Sequence, residues 1–463
     1  MGGEAHGEGR VSTSAVAESL ARSVAAARGR ELPAALRHTL EMMLLDIGGL
    51  CVAAREEAYV HAAIASWDAT GPCTAIGHGR TLDAAGAAFV NGTAAHGEDF
   101  DDTFEGGPVH AGVVIVPALL AAAERHRIAA RDTMFGMAVA AEVMCRASLV
   151  APRRIHQAGF HPTAVLGAMG AAAGVAAALG VDDKTFASAQ GIAGSMASGI
   201  IEYLAEGAST KRMHPGWAAQ SGLHAVALAR SGFEGPRSVW EGTHGLLHGF
   251  ANTLEGDWAK LTEGFGERWI SQAIAFKPYA CGTMIHPYID CARRLAAKVG
   301  DPEAIAAIEC DTAEGIVHRL WEPLVAKRRP ANAYAAKFSI PYCVAYALLR
   351  GPLGLEAFSD ENARDPSLMA LAAKVGYRVD PANPYPDEYT GHVRITLRDG
   401  RVLEERQAHL RGGHHEPLSR ADLEEKFRAN CEFGGWERAR ADAWLEATRH
   451  AFEKPIDLAP FRG

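Results

Sequence analysis

The stretch AVLGAMGAAAGVAAALGV, residues 164–181, sets the tightest limit on what this chain can become. It carries no charge over a length that would suit a membrane span. Ala and Gly dominate it, however, and large aliphatics are sparse, so its insertion into lipid would be weak. A segment of this kind reads as a helix buried among other helices. Gly167, Gly170 and Gly174 recur at spacings of three and four, and residues so spaced share a face. A neighbouring helix can therefore approach that face closely. Aromatic residues are only 7% of the chain, which suits a core packed by close approach more than by bulk.

The same pattern extends to either side. Helical spacing of apolar residues is read at 32–54, 83–97, 111–129, 132–150, 185–200 and 216–231, punctuated by Gly, Pro or Asp. Strand-like alternation is nearly absent between 13 and 265. Near 270 the character changes. IAAIECDTA (305–313) alternates as a strand does, and HVRITLRDGRVLEERQA (392–408) reads as a hairpin turning at Asp399-Gly400. Helical stretches at 284–298, 336–351 and 366–375 lie around and between them. SRADLEEKFRANC and ERARADAWLEATRHAF are helical again, with Ser419 and Asp422 in a capping arrangement. The fold class is mainly α: a large all-helical domain, residues 1–267 with 409–463, and a smaller α+β domain, residues 268–408.

Composition removes several function classes. The net charge is −9, with no basic run, which argues against nucleic acid or an anionic membrane as the main partner. A local anionic substrate is still allowed. None of the eight cysteines forms a C-x-x-C pair or has zinc-like spacing to a His. They read as reduced, buried thiols, and with no apolar leader in the first thirty residues the expected location is cytoplasmic.

Against this apolar background HGEDFDDTF, residues 96–104, stands out, with Glu98, Asp99, Asp101 and Asp102 within five positions. One or two of these carboxylates suit helix caps and turns; four exceed what capping needs. Asp101-Asp102-x-x-Glu105 is also compatible with a Mg²⁺ site of carboxylate oxygens, although no second acidic motif completes it. The third reading is proton transfer on an anionic substrate. Its candidates are polar residues set in apolar text: His161 at the start of the most apolar helix; Lys211, Arg212 and His214 just before another; and Lys277, Tyr279 and His286 at the domain change. Helix N-termini attract anions, and His and buried Lys are suited to moving protons near neutral pH. The bland alternatives are a hydrogen-bonded structural His and a surface Arg. Buried unpaired Lys is rare, which makes Lys211 and Lys277 harder to explain away.

HGEDFDDTF, VHAGVVIVPALLAA, GFHPTAVLGAMG, LAEGASTKRMHPGWAAQSG, FKPYACGTMIHPYIDCA and AAKFSIPYCVAYALL, in this order across nearly the whole chain, resemble the MmgE/PrpD family. That family includes 2-methylcitrate dehydratase, cis-aconitate decarboxylase and an iminodisuccinate epimerase. The resemblance implies that the smaller domain is a lid, that the active site lies in the cleft between the domains, that the protein is a homodimer, and that its chemistry needs no cofactor or metal. It maps the family's active-site positions onto Asp99, Thr103, His110, His161, Lys211 and Lys277. Gly282 stands where the decarboxylase has a further His, and the decarboxylase's active-site Tyr has no counterpart here.

The expected function is thus a cofactor-independent lyase of the 2-methylcitrate dehydratase type. It would act on a small di- or tricarboxylate by removing a proton next to a carboxylate. Asp99, His110, His161, Lys211 and Lys277 are the catalytic candidates; Thr103, Arg212, His214 and Tyr279 are the substrate-binding candidates. The alternatives are an epimerase, less readily the decarboxylase, a Mg²⁺ enzyme using the acidic stretch, and an inactive anion-binding protein of the same fold.

Overall fold

The computed structural model describes residues 14–107 and 109–463. Helix Pro162–Leu179 is the centre of the helical part, almost wholly buried. Helices Gly112–His126, Ala130–Ser148, Asp183–Met196 and Thr210–Arg230 pack around it. Its glycines explain how closely they come. A Cβ on Gly174 would lie 2.6 Å from the Gly136 carbonyl oxygen, and one on Gly136 would lie 2.6 Å from the Gly174 carbonyl. Gly170 meets Met144 of the same Ala130–Ser148 helix, whereas Gly167 faces Val114 and Ala218. The three glycines therefore serve more than one neighbour.

A second close crossing fixes the site. Helix Ala84–His96 passes Thr210–Arg230 so tightly that a Cβ on Gly216 would lie 2.2 Å from the Phe89 carbonyl oxygen, and one on Gly92 would lie 2.6 Å from the Gly216 Cα. His96 ends the first helix, and Lys211 lies in the first turn of the second. Backbone contact between the two thus fixes the distance between Lys211 and the acidic loop. Thr210–Arg230 starts earlier than the sequence pattern suggested, because it runs through Pro215. A proline near the start of a helix forfeits one hydrogen bond, here the one to the Lys211 carbonyl, without ending the helix.

The C-terminal region holds a four-stranded mixed sheet in the order Val375–Val379, Ile305–Thr312, Gly391–Leu397, Val402–Gln407. Ile308 is opposite Ile395 and Cys310 opposite Val393. Helices His286–Val299 and Ile340–Arg350 pack against the sheet. Val375–Val379 corrects the helical reading of 366–375: the helix stops at Ala372. β-Branched Val375 then opens a strand parallel to Ile305–Thr312.

Helices Arg420–Phe433 and Arg438–Arg449 return to Ala34–Ala53, where Gly49 admits Phe427 and Gly48 admits the Trp444 ring. Ser419 and Asp422 form the capping box expected of them. All eight cysteines are buried and free.

Candidate active site

The acidic stretch leaves helix Ala84–His96 as a tight loop, and Asp99 takes a left-handed backbone conformation with φ 55°. A non-glycine residue rarely holds this geometry unless its surroundings over-determine it. Here three buried lysines do so. Lys337 Nζ donates to the Glu98 carbonyl at 2.6 Å, Lys277 Nζ to the Asp99 carbonyl at 2.7 Å, and Lys426 Nζ to the Phe100 carbonyl at 2.7 Å. Each ammonium also faces a carboxylate: Lys337 pairs with Glu98 at 2.7 Å, Lys426 with Asp46 at 2.7 Å, and Lys277 lies 4.0 Å from Asp101. The loop is then tied forward. Thr103 and Phe104 pair with Ala275 and Ile274 as a short antiparallel ladder, which brings Lys277 alongside.

The four carboxylates divide their work. Asp99 forms a salt bridge with Lys211. Burial works against its charge, but Lys211 and Lys277 prevail and hold the carboxyl well below the usual range. Lys211 is raised in turn, with burial opposing and Asp99 winning. Asp101 is fully buried, and against that burial His96, His110 and Lys277 keep it ionised. Its Oδ2 lies 2.9 Å from His96 Nδ1 and 3.4 Å from His110 Nδ1, while its Oδ1 has no hydrogen-bond partner among the described residues. Asp102 caps helix Gly112–His126, accepting from Ala111 N–H at 3.0 Å and Gly112 N–H at 2.9 Å. Burial and the neighbouring Asp101 nevertheless push its carboxyl up to about 8. Glu98 meets Lys337 and accepts from the Tyr59 hydroxyl at 3.1 Å.

Four imidazoles gather against this wall. The ring centres of His96 and His110 are 5.2 Å apart, those of His96 and His161 5.7 Å, and those of His161 and His214 5.4 Å. Burial pushes His110 down to about 3 and His214 to about 4, and takes His161 well below its ordinary value. All three are neutral at pH 7. His110 Nδ1 lies 2.7 Å from the Asp102 carbonyl oxygen. A carbonyl only accepts, so Nδ1 carries the proton and Nε2 presents a free lone pair. His161 is the N-cap residue of Pro162–Leu179, with its Nδ1 3.2 Å from His214 Nδ1.

Asp99, His110, His161, Lys211, Lys277 and His214 are therefore brought to one place, with Thr103 buried in the adjoining strand. Arg212 lies beside the cluster, and its Nε donates to the Gly97 carbonyl at 3.1 Å. The guanidinium is stacked between Tyr59 and Tyr334, with ring centres at 4.4 and 5.0 Å. Tyr279 points elsewhere: its hydroxyl donates to Asp290 at 2.5 Å and accepts from Arg293 at 2.8 Å. His286 is buried, with Nε2 3.2 Å from the Cys281 carbonyl. His161, Lys211, Arg212 and His286 sit at helix starts; Lys277 approaches from an irregular segment. Residues 96, 337 and 426 were not singled out from sequence. His96 was legible as a neighbour of the acidic run, but the two lysines bond to backbone carbonyls and leave no sequence motif.

A Mg²⁺ ion does not fit the acidic run. Asp101 faces His96, His110 and Lys277, and Asp102 spends both oxygens on a helix N-terminus. Glu105 accepts from His414 N–H at 2.8 Å. These three carboxylates do not converge on a common point.

The MmgE/PrpD N-terminal domain matches residues 18–258, and the MmgE/PrpD C-terminal domain matches residues 279–448. Cis-aconitate decarboxylase of Mus musculus is 31% identical over 359 residues, covering 74% of this chain and 71% of that protein. Cis-aconitate decarboxylase of Aspergillus terreus is 27% identical over 433 residues, covering 86% and 85%. Mitochondrial 2-methylcitrate dehydratase of Yarrowia lipolytica is 33% identical over 119 residues, covering 24% and 22%.

Proposed function

Because this chain belongs to the MmgE/PrpD family, we propose that it is a cofactor-independent lyase that dehydrates a small di- or tricarboxylate, in the manner of 2-methylcitrate dehydratase. The observation that carries the chemistry is a neutral imidazole with a free Nε2, His110, beside the two ammoniums of Lys211 and Lys277.

Removing a proton next to a carboxylate develops negative charge on that carboxylate. Preorganised cations in a dry site stabilise such charge far better than water does. Lys211 and Lys277 bind the substrate carboxylate and take up this charge, with Asp99 holding Lys211 in place. His110 Nε2 accepts the proton. The C–H electron pair becomes the new double bond as the C–O bond breaks. The departing hydroxyl takes the proton from His110, so that water leaves and the imidazole returns neutral. Thr103 hydrogen-bonds a substrate oxygen. The same proposal carries a homodimer and, from the free buried thiols, a cytoplasmic location.

Epimerisation is a second reading. His161, whose ring centre is 6.3 Å from that of His110, would return the proton from the other side. Decarboxylation is favoured by the names of relatives that match most of this chain, the cis-aconitate decarboxylases of Mus musculus and Aspergillus terreus. Against it stands Gly282, which has no side chain to act on substrate; its N–H is donated to Lys337 O at 3.0 Å and its carbonyl accepts from Ile285 N–H at 2.9 Å.

Proton NMR in D₂O on citrate, 2-methylcitrate, cis-aconitate and iminodisuccinate separates these readings. The expected result is alkene product from a hydroxy acid, at a rate independent of added Mg²⁺. Itaconate from cis-aconitate would replace dehydration with decarboxylation. Deuterium exchange with inversion would establish the epimerase. Saturable binding without any turnover would identify an inactive anion-binding protein.

A further inference from the structure

A second group of chemically able side chains lies away from the acidic loop. Glu388, in the irregular segment ahead of strand Gly391–Leu397, meets His409 and His415, which follow strand Val402–Gln407. One ligand atom from each lies within 4.8 Å of the others, and among the described residues this is the one such convergence of His, Cys, Asp and Glu. We propose that Glu388, His409 and His415 form a binding site for a divalent transition metal of the Zn²⁺ class.

The donor chemistry supports this assignment. Two imidazoles and one carboxylate are a usual three-ligand set for Zn²⁺, leaving a fourth position for water. Hard Mg²⁺ and Ca²⁺ prefer sets made only of oxygen. The imidazole rings of His409 and His415 lie with centres 4.6 Å apart. His409 Nδ1 is shielded from solvent and has no hydrogen-bond partner among the described residues, although a Glu388 carboxylate oxygen is only 3.5 Å away. A buried imidazole nitrogen facing a carboxylate without a bond between them is an arrangement that a cation would complete.

The scaffold is already braced. Gln407 Nε2 donates to the His409 carbonyl at 2.9 Å and to Glu416 at 2.7 Å, fixing both ends of the turn that carries the two histidines. A bound ion would clasp the 380–390 segment to this turn. The turn reaches the catalytic region by two backbone contacts: Phe276 N–H donates to Gly412 O at 3.0 Å, and His414 N–H donates to Glu105 at 2.8 Å. Phe276 precedes Lys277, and Glu105 follows the acidic loop, so the clasp would stiffen both.

Zn²⁺ and Co²⁺ titrations of the full chain test the proposal, after dialysis against chelator and then against metal-free buffer. One Zn²⁺ per chain is expected, with a rise in Tm, and Co²⁺ should give visible absorption of four-coordinate type. His409→Ala and His415→Ala should each weaken Zn²⁺ binding by more than the roughly 10–100-fold that loss of an outer-shell partner costs. His414→Ala, beside the set but outside it, should bind as the unaltered chain does. The metal-free Tm of each variant reports whether it has folded. No Zn²⁺ binding at micromolar concentration by the unaltered chain would overturn the proposal. So would undiminished stoichiometry in the folded His409→Ala and His415→Ala variants, which would place the metal among other residues.

Discussion

Lys277 closes the turn at Asp99: its Nζ lies 2.7 Å from the Asp99 carbonyl oxygen, and Asp99 is the acidic-loop residue with a left-handed backbone. One ammonium thus shapes the loop and supplies cationic charge to the site. Lys277→Ala should reduce kcat/KM by about 10²–10³-fold, the scale on which losing one preorganised stabilising group acts. Lys211→Ala should do likewise, with KM rising in both. Steady-state kinetics on the true substrate provide the check, and wild-type constants in either variant would remove that lysine from the mechanism.

Lys426 and Asp46 allow stability and activity to be separated. Both are buried, and burial is the dominant influence on each: it raises the Asp46 carboxyl and lowers the Lys426 ammonium. Lys426→Ala leaves a buried carboxylate without its partner and should cost about 3–5 kcal/mol in chemical denaturation. Replacing both residues, as Asp46→Leu with Lys426→Met, should restore most of that loss. Activity should stay low in the double variant, because the Phe100 carbonyl has still lost its donor. Full recovery of turnover would show that this tether does not matter.

Asp102 predicts a pH dependence of stability. Its folded pKa of about 8 lies above the unfolded value near 3.8, so the folded state binds the extra proton throughout that interval. Stability from this group is complete below about 3.8 and is lost as pH rises to 8, with a slope approaching 1.4 kcal/mol per pH unit. His110 acts oppositely. Its folded value of about 3 lies below the ordinary 6.5, so stability falls as pH drops from 6.5 toward 3. The two offset each other below 6.5, which leaves Asp102 dominant of the pair between 6.5 and 8. Denaturation at pH 6.5, 7.25 and 8 should show a decline that Asp102→Asn flattens; an equal decline in the variant would assign it to another group.

Much of the helical framework was legible because its signal is local. The spacing of small and apolar residues marks Ala130–Ser148 and Pro162–Leu179 regardless of what surrounds them. Val375–Val379 was not legible in this way. Its strand state depends on parallel pairing with Ile305–Thr312, a partner distant in sequence. At the site, side-chain chemistry singled out the acidic run, His161, Lys211 and Lys277, and the resemblance pointed to Asp99 within that run; the fold brings these residues together. The roles of Lys337 and Lys426 stayed hidden because a carbonyl acceptor is present at every residue and so has no sequence signature. Tyr279 shows the converse: its residue type and neighbours suggested substrate contact, but the fold commits its hydroxyl to Asp290 and Arg293.

The crossing at Gly216 should tolerate no side chain. A methyl group there would meet the Phe89 backbone, which cannot move aside as a flexible side chain would. Gly216→Ala should destabilise by about 1–3 kcal/mol or more and displace Lys211 relative to the acidic loop. Reduced Tm together with raised KM is the expected pair of results. An unchanged KM in folded protein would mean that the crossing does not set the position of Lys211.

The three lysines that hold consecutive carbonyls at 98, 99 and 100 stand 239, 178 and 326 residues further along the chain. On a ribosome, the acidic loop emerges long before any of them. Until Lys277, Lys337 and Lys426 have all been synthesised, the loop lacks part of this backbone support, although the Asp99–Lys211 salt bridge can form earlier. A growing or prematurely ended chain can build helices around Pro162–Leu179 while the candidate site is still incomplete. A chain ended before Lys426 is therefore expected to be inactive even where its helical core has folded.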